Sequence, residues 1–211
     1  MIGEVDLAFV IDASNSIGFN NFIKLKSFLS DFLNHSSVDD GAVRVGAVTF
    51  STAVEVEFKL NKYKKSSQIS NHISKLKYTA GATNFAGGLN ETRNVLFKKG
   101  NGDREDVPNF VVLIANGRSN INQPYTIPYA KQLKDDGASI YALAIGKELR
   151  DSHQEILDMV SKPAKDNFQL INSYKDLLDL KSIIFSKICP GKFSSDIHIV
   201  LVWYLYWINI E

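Results

Sequence analysis

With 211 residues the chain is long enough to bury one α/β core, and no natural linker divides it into two. Its 24 Lys and Arg against 23 Asp and Glu leave no basic field for nucleic acid and no acidic tail, so any partner is chosen by a local site. A single cysteine, Cys189, excludes a disulfide framework within the chain and any cysteine-based zinc cluster, and leaves the redox compartment open. No basic segment followed by an apolar run precedes Asp6, so no signal peptide is visible; an excised module of a longer chain has the same look.

Leu7 to Ile11 is apolar on both alternating faces, the pattern of a central strand in a parallel sheet covered by helices on each side. The run ends abruptly in Asp12-Ala13-Ser14-Asn15-Ser16, a carboxylate, an amide and two hydroxyls within one turn. From Phe19 to Asn34 apolar residues recur at three- and four-residue steps (Phe19, Phe22, Ile23, Phe28, Leu29, Phe32, Leu33), which predicts a helix. Val43 to Phe50 reads as a second strand. Ser51-Thr52 turns it into Ala53 to Leu60, where Val54, Val56, Phe58 and Leu60 alternate with Glu55, Glu57 and Lys59 as on an antiparallel edge strand. Ser67 to Leu76 is a short helix.

The small-residue loop Tyr78 to Asn84 delivers Thr83 just before a helix with Phe85, Leu89 and Leu96 inward; Gly87 and Gly88 inside it imply close packing on a neighbouring backbone. Phe110 to Ala115 is again apolar on both faces and stops at Asn116-Gly117-Arg118-Ser119. Tyr129 to Asp136 is expected to be helical, Ile140 to Ile145 a buried strand closed by Gly146, Gln154 to Val160 a helix, Phe168 to Ile171 a short strand and Tyr174 to Ile188 a closing helix. This order argues an α/β fold: a doubly wound, mostly parallel six-stranded sheet with one antiparallel edge strand and helices on both faces. We expect the domain to occupy residues 1–190 and an apolar tail to follow at 191–211.

In such a sheet Asp12, Thr83 and Asn116 fall on neighbouring loops at the carboxyl rim, where ligands bind. Their side chains, with Ser14 and Ser16, offer the oxygen donors that a hard cation such as Mg2+ prefers. The plainer reading is helix capping, by Ser14, Asn15 or Ser16 for the first helix and by Thr83 for the third. Both stand at this point.

These residues resemble the von Willebrand factor type A family, whose metal-ion-dependent adhesion site reads Asp-x-Ser-x-Ser, then a loop threonine, then an aspartate after a central strand. Asp12-Ala13-Ser14-Asn15-Ser16 matches the first element and Thr83 in Gly81-Ala82-Thr83-Asn84 the second. Asn116 stands where the family usually has Asp. The likeness runs from about Val5 to Cys189 and is nearest the extracellular-matrix branch, such as type VI collagen and matrilin modules. It implies Mg2+ or Mn2+ held at Asp12, Ser14, Ser16, Thr83 and Asn116, and a secreted adhesion module. Its partner would be a matrix protein such as collagen, engaged through an acidic side chain. Loss of one negative charge at Asn116 predicts weaker metal retention and a stronger demand for an anionic ligand. The alternative is a structural matrix module with a degenerate, weakly occupied site.

No catalytic residue is assigned. A phosphoryl-transfer enzyme of the haloacid-dehalogenase type wants a second aspartate two positions after Asp12, where Ser14 stands, and no Gly-x-x-x-x-Gly-Lys-Ser/Thr loop or Gly-x-Ser-x-Gly turn is present. His35, His72, His153 and His198 are scattered and read as solvated or capping, and Asp39-Asp40 and Asp135-Asp136 as solvated turns. Asn34-His35-Ser36 and Asn90-Glu91-Thr92 fit the glycan-acceptor pattern. The resemblance places at Cys189 a cysteine that often joins one ahead of the first strand, so the thiol is free, linked between chains, or paired upstream of residue 1. Ile197 to Ile210 is apolar but short of the ~20 residues of a spanning helix, so no membrane span is expected.

Overall fold

The computed structural model describes residues 4–34, 36–145, 153–171 and 184. Six strands form one sheet in the order β3-β2-β1-β4-β5-β6. They are β1 Val5–Asp12, β2 Val43–Phe50, β3 Val54–Phe58, β4 Asn109–Ala115, β5 Ser139–Ile145 and β6 Phe168–Ile171. β1 lies parallel to β2 (Val5 opposite Val43, Asp12 opposite Phe50) and to β4, which continues parallel to β5 and β6. Only β3 runs antiparallel, on β2. Among the described residues the α-helices that accompany them are α1 Phe19–Asn34, α2 Ser66–Ser74, α3 Phe85–Glu91, α4 Gln123–Asp135 and α5 Gln154–Met159.

The double apolar character of the central strands has a direct cause. Leu7, Phe9 and Ile11 of β1, with Phe110, Val112 and Ile114 of β4, pack among Phe22, Leu25 and Phe32 of α1 and Ile69 and Ile73 of α2. Ala8 and Val10, with Val111 and Leu113, pack on the other side among Phe85 and Leu89 of α3, Ala130 and Leu133 of α4, and Ile156 and Met159 of α5. The glycines of α3 let it approach closely: a Cβ on Gly88 would lie 3.0 Å from both Phe50 and Val10, and one on Gly87 2.6 Å from Val54. A π-helical turn, Thr92–Leu96, then brings Leu96 onto Gly46 of β2, where a Cβ would leave only 3.1 Å.

Several elements depart from the sequence reading. Phe19 and Ile23 are exposed (60% and 43%) rather than part of the buried stripe of α1, which runs through Phe22, Leu25, Phe28, Leu29, Phe32 and Leu33; Phe19 meets the Tyr78 ring edge-on. A register shift between Ala47 and Val48 turns the end of β3 over, so Phe58 enters the α1/α2 core while Val54 and Val56 pack on the opposite face. Glu57 is therefore not solvated: it accepts from Thr49 Oγ1 at 2.6 Å and lies 3.3 Å from His72 Nε2, whose Nδ1 meets Tyr63 Oη at 2.9 Å. Asp39 is no loose turn residue either. Its Oδ1 accepts the Ser66 N–H at 2.7 Å, supplying α2 with a cap from a distant loop, and that bond holds the Asp39 carboxyl below its ordinary range.

α4 begins six residues earlier than expected, since Pro124 sits in the first turn, where its missing N–H is no loss, and Pro128 is tolerated one turn later. Asp136 is paired with Arg93 (2.7 Å) and Asp135 with Lys131 (2.6 Å). Of the two glycan-acceptor patterns, Thr92 is fully buried with its hydroxyl on Gly88 O, whereas Asn34 is exposed at the end of α1. Ile184 is helical and buried. The rest of the expected closing helix, Gly146, His35, His198, Cys189 and the 197–210 stretch lie outside the described residues.

Candidate metal centre

β1 carries Asp12 to the carboxyl rim, and the Ala13 N–H still bonds Phe50 O, so the ladder ends where the chain turns. Asp12 and Ser14 are fully buried, Thr83 is 3% exposed, and Ser16 opens to solvent. Asp12 Oδ1 accepts the Ser14 N–H at 2.8 Å, Oδ2 accepts the Asn116 N–H at 3.2 Å, and the Ser14 hydroxyl also bonds the carboxylate. Among the described residues it meets no ammonium or guanidinium group. Burial pushes its pKa up to about 6, against the opposing pull of those hydrogen bonds.

Thr83 comes from a loop clamped on two sides. Its N–H donates to Asn120 Oδ1 at 2.8 Å, and its carbonyl accepts from the N–H groups of Asn120 and Ile121 at 3.0 and 3.1 Å. Ahead of it the Gly81 carbonyl takes the Asn15 N–H at 3.0 Å, which ties this loop to the Asp12 turn. Gly81 is required there, since its φ is +83° and a Cβ would stand 2.5 Å from Thr52 Oγ1. Thr83 does not cap α3. Asn84 does, accepting from the Gly87 N–H at 2.9 Å, and so leaves the threonine hydroxyl to the cluster. At the start of α1 the N–H groups of Asn21 and Phe22 both use Gly18 O, while the hydroxyls of Ser14 and Ser16 are engaged with each other.

All five residues singled out in the sequence thus meet. Ser14 Oγ lies 2.8 Å from Ser16 Oγ and 3.1 Å from Thr83 Oγ1. Asn116 donates from its backbone to Asp12 and, through Nδ2, to Ser16 O at 3.2 Å, while its own carbonyl accepts from Ser16 Oγ. Neighbouring ligands of an octahedral ion with bonds of 2.0–2.1 Å stand about 2.9 Å apart, the spacing of these hydroxyls. A hard divalent cation fits the donor set, three neutral oxygens beside one buried carboxylate. Among the described residues no group of three His, Cys, Asp or Glu offers another place for a metal ion. A recess of about 650 Å3 at the other end of the sheet, near Arg44 and Tyr63, contains none of these oxygens.

Three supporting residues gave no motif in the sequence. Gly117, at φ +131°, keeps the roof open: a Cβ there would sit 3.0 Å from Ser16 Oγ and 4.0 Å from Thr83 Oγ1. Asn120 positions Thr83, and only its place four residues after Asn116 hinted at it. Glu155 of α5 braces the same loop by accepting the Ser119 N–H at 3.1 Å, and burial holds its carboxyl above the ordinary range.

Residues 6–183 match the family model of the von Willebrand factor type A domain. The chain is similar to matrilin-1 of Gallus gallus (28% identical, covering 88% of this chain and 36% of the relative). It is also similar to matrilin-2 of Mus musculus (25%, covering 88% and 19%) and to the collagen alpha-4(VI) chain of Mus musculus (27%, covering 90% and 8%). It therefore spans about a third or less of the length of these relatives. Among solved structures it is similar to proximal thread matrix protein 1 from the mussel byssus, with a TM-score of 0.79 at 26% identity over 87% of this chain and 47% of that one. Another structure of that mussel protein, described as having a zinc-occupied MIDAS motif, gives a TM-score of 0.78 at 25% identity over 87% and 48%.

Proposed function

The chain belongs to the von Willebrand factor type A family, and we propose that its rim holds Mg2+ or Mn2+ and through it engages an acidic group of a matrix protein such as collagen. The observation that carries this reading is the hydroxyl triad, with Ser14 Oγ 2.8 Å from Ser16 and 3.1 Å from Thr83, over a buried carboxylate that has no cation of its own. Ser14, Ser16 and Thr83 supply the neutral donors. Asp12 and Asn116 sit behind them, Asp12 beside the Ser14 hydroxyl and the Asn116 backbone carbonyl accepting the Ser16 proton, which leaves the Ser16 oxygen able to donate a lone pair to an ion. A bound divalent ion supplies uncompensated positive charge and an open ligand position. With Asn116 in place of a second carboxylate, that charge is larger and retention weaker, so the partner's carboxylate and the metal bind as a linked pair.

The relatives support a secreted, extracellular-matrix location and a binding rather than catalytic role. The zinc-occupied motif of the mussel protein supports a divalent ion at the matching place. We propose residues 1–190 as the domain and 191–211 as an apolar tail, with an interchain link one of the three fates open to Cys189. A purely structural module is the second reading, favoured by the Asn116 amide nitrogen pointing at Ser16 O.

Thermal denaturation separates the two. At a hundredfold excess over Kd, Mg2+ or Mn2+ should raise Tm by ~5–10 °C over chelator, because an ion bound only by the folded state stabilises it. The shift should vanish in Asp12→Ala and shrink strongly in Ser16→Ala and Thr83→Ala. A native protein that melts identically in both conditions overturns the metal reading.

A further inference from the structure

We propose that Asn116 is a positioning residue that latches Ser16 in place before any metal arrives, so that the site is preformed at the expense of one negative charge; this rests on the divalent-ion reading above. Two segments 100 residues apart are joined here by a reciprocal pair. The Ser16 hydroxyl donates to the Asn116 carbonyl, and the Asn116 amide nitrogen donates to the Ser16 carbonyl at 3.2 Å. A third bond, from the Asn116 N–H to Asp12 Oδ2, fastens the same loop to the floor of the site. Only an N–H can face the Ser16 carbonyl in this arrangement. An aspartate at this position would set oxygen against oxygen and add a second carboxylate beside the buried, cation-free Asp12.

Without metal, then, aspartate is repelled from Ser16 and asparagine is held by it. Ser16 is the solvent-exposed corner of the hydroxyl triad, whereas Ser14 and Thr83 are buried. The latch falls on the corner that needs it. Gly117 beside it leaves room for Ser16 Oγ, so the two adjacent residues divide the task, one holding the hydroxyl and the other keeping clear of it.

The test compares the native chain with Asn116→Asp, Asn116→Leu, Ser16→Ala and the Asn116→Leu/Ser16→Ala pair, by melting in excess chelator and by Mn2+ titration followed through the paramagnetic resonance of the free ion. In chelator Asn116→Asp should melt at least about 2–4 °C below the native chain. It should nonetheless bind Mn2+ about tenfold more tightly, since it adds a charge. Asn116→Leu keeps the native charge and branching, yet should melt lower in chelator and bind Mn2+ about fivefold or more weakly, because the Ser16 backbone loses its side-chain tie to this loop. In the Ser16→Ala background, where no hydroxyl is left to position, Asn116→Leu should weaken Mn2+ binding little further, so the two effects on affinity should not add. Native-like melting of Asn116→Asp in chelator, native-like Mn2+ affinity of Asn116→Leu, or strict additivity in the pair would overturn the latch. A native chain that ignores Mn2+ while Asn116→Leu still melts lower in chelator would overturn the metal reading and the latch's role in it, and leave the contact standing as structural.

Discussion

β1 carries a fully buried aspartate near each end, and the two are treated in opposite ways. Asp6 accepts from the Arg104 guanidinium at 2.7 and 2.8 Å and from the Arg104 backbone N–H at 2.7 Å, while the same guanidinium reaches the carbonyls of Val5 (2.8 Å) and Ala42 (3.0 Å). Asp12 has backbone N–H groups and a hydroxyl but, among the described residues, no cation. One carboxylate is neutralised by the chain itself; at the other the compensating charge has to come from outside. The difference teaches where this fold separates stability from binding: the amino end of the central strand is closed electrostatically and the carboxyl end is left unbalanced.

The comparison breaks most visibly at the closed end. Arg104→Ala leaves Asp6 buried and unpaired, and should destabilise the fold by about 3–5 kcal/mol, equally with and without Mg2+, as read by urea denaturation. At the open end the largest effect is with pH. The folded-state pKa of Asp12 is raised from 3.8 to about 6, so this group favours the folded state below about pH 4 and that advantage is lost as pH rises toward 6. At ~1.4 kcal/mol per pH unit the loss is about 3 kcal/mol. In chelator, stability from this group should therefore fall across that window; saturating Mg2+ should cancel the fall, and Asp12→Asn should flatten it. A chelator profile that does not differ between native and Asp12→Asn would remove the contrast between the two aspartates. The smallest effect sharpens it. Gly117→Ala forces a Cβ to 3.0 Å from Ser16 Oγ at φ +131° and should lower stability by about 1–2 kcal/mol while weakening Mn2+ binding more than that, by calorimetry.

What the sequence made legible follows from the range of the forces involved. Leu7 to Ile11 declared a central strand because both faces are covered, and Asp12, Ser14 and Ser16 stood out because they interrupt that run at once. Thr83 was marked by the small residues before it. Arg104 was not legible: in Gly102-Asp103-Arg104-Glu105-Asp106 it looks like a solvated loop, and its partner lies 98 residues away. Asn84, rather than Thr83, as the cap of α3, the bulge that turns Phe58 inward, and the positive φ of Gly117 all depend on backbone geometry that two adjacent residue names do not specify. The start of α4 was hidden because Pro124 and Pro128 read as breakers until their place in the first turns is known.

The position of β1 between two parallel neighbours has a mechanical consequence. A pull applied between residue 4 and a molecule held at Ser16 runs lengthwise along β1, whose flanks bond to β2 from Val5 to Asp12 and to β4 from Asp6 to Ile11. The tension passes through the covalent backbone of β1 itself, while the bonds on both flanks keep the strand seated in the sheet without carrying the load. A tether anchored at this pole therefore draws on peptide bonds before it draws on any hydrogen-bonded ladder.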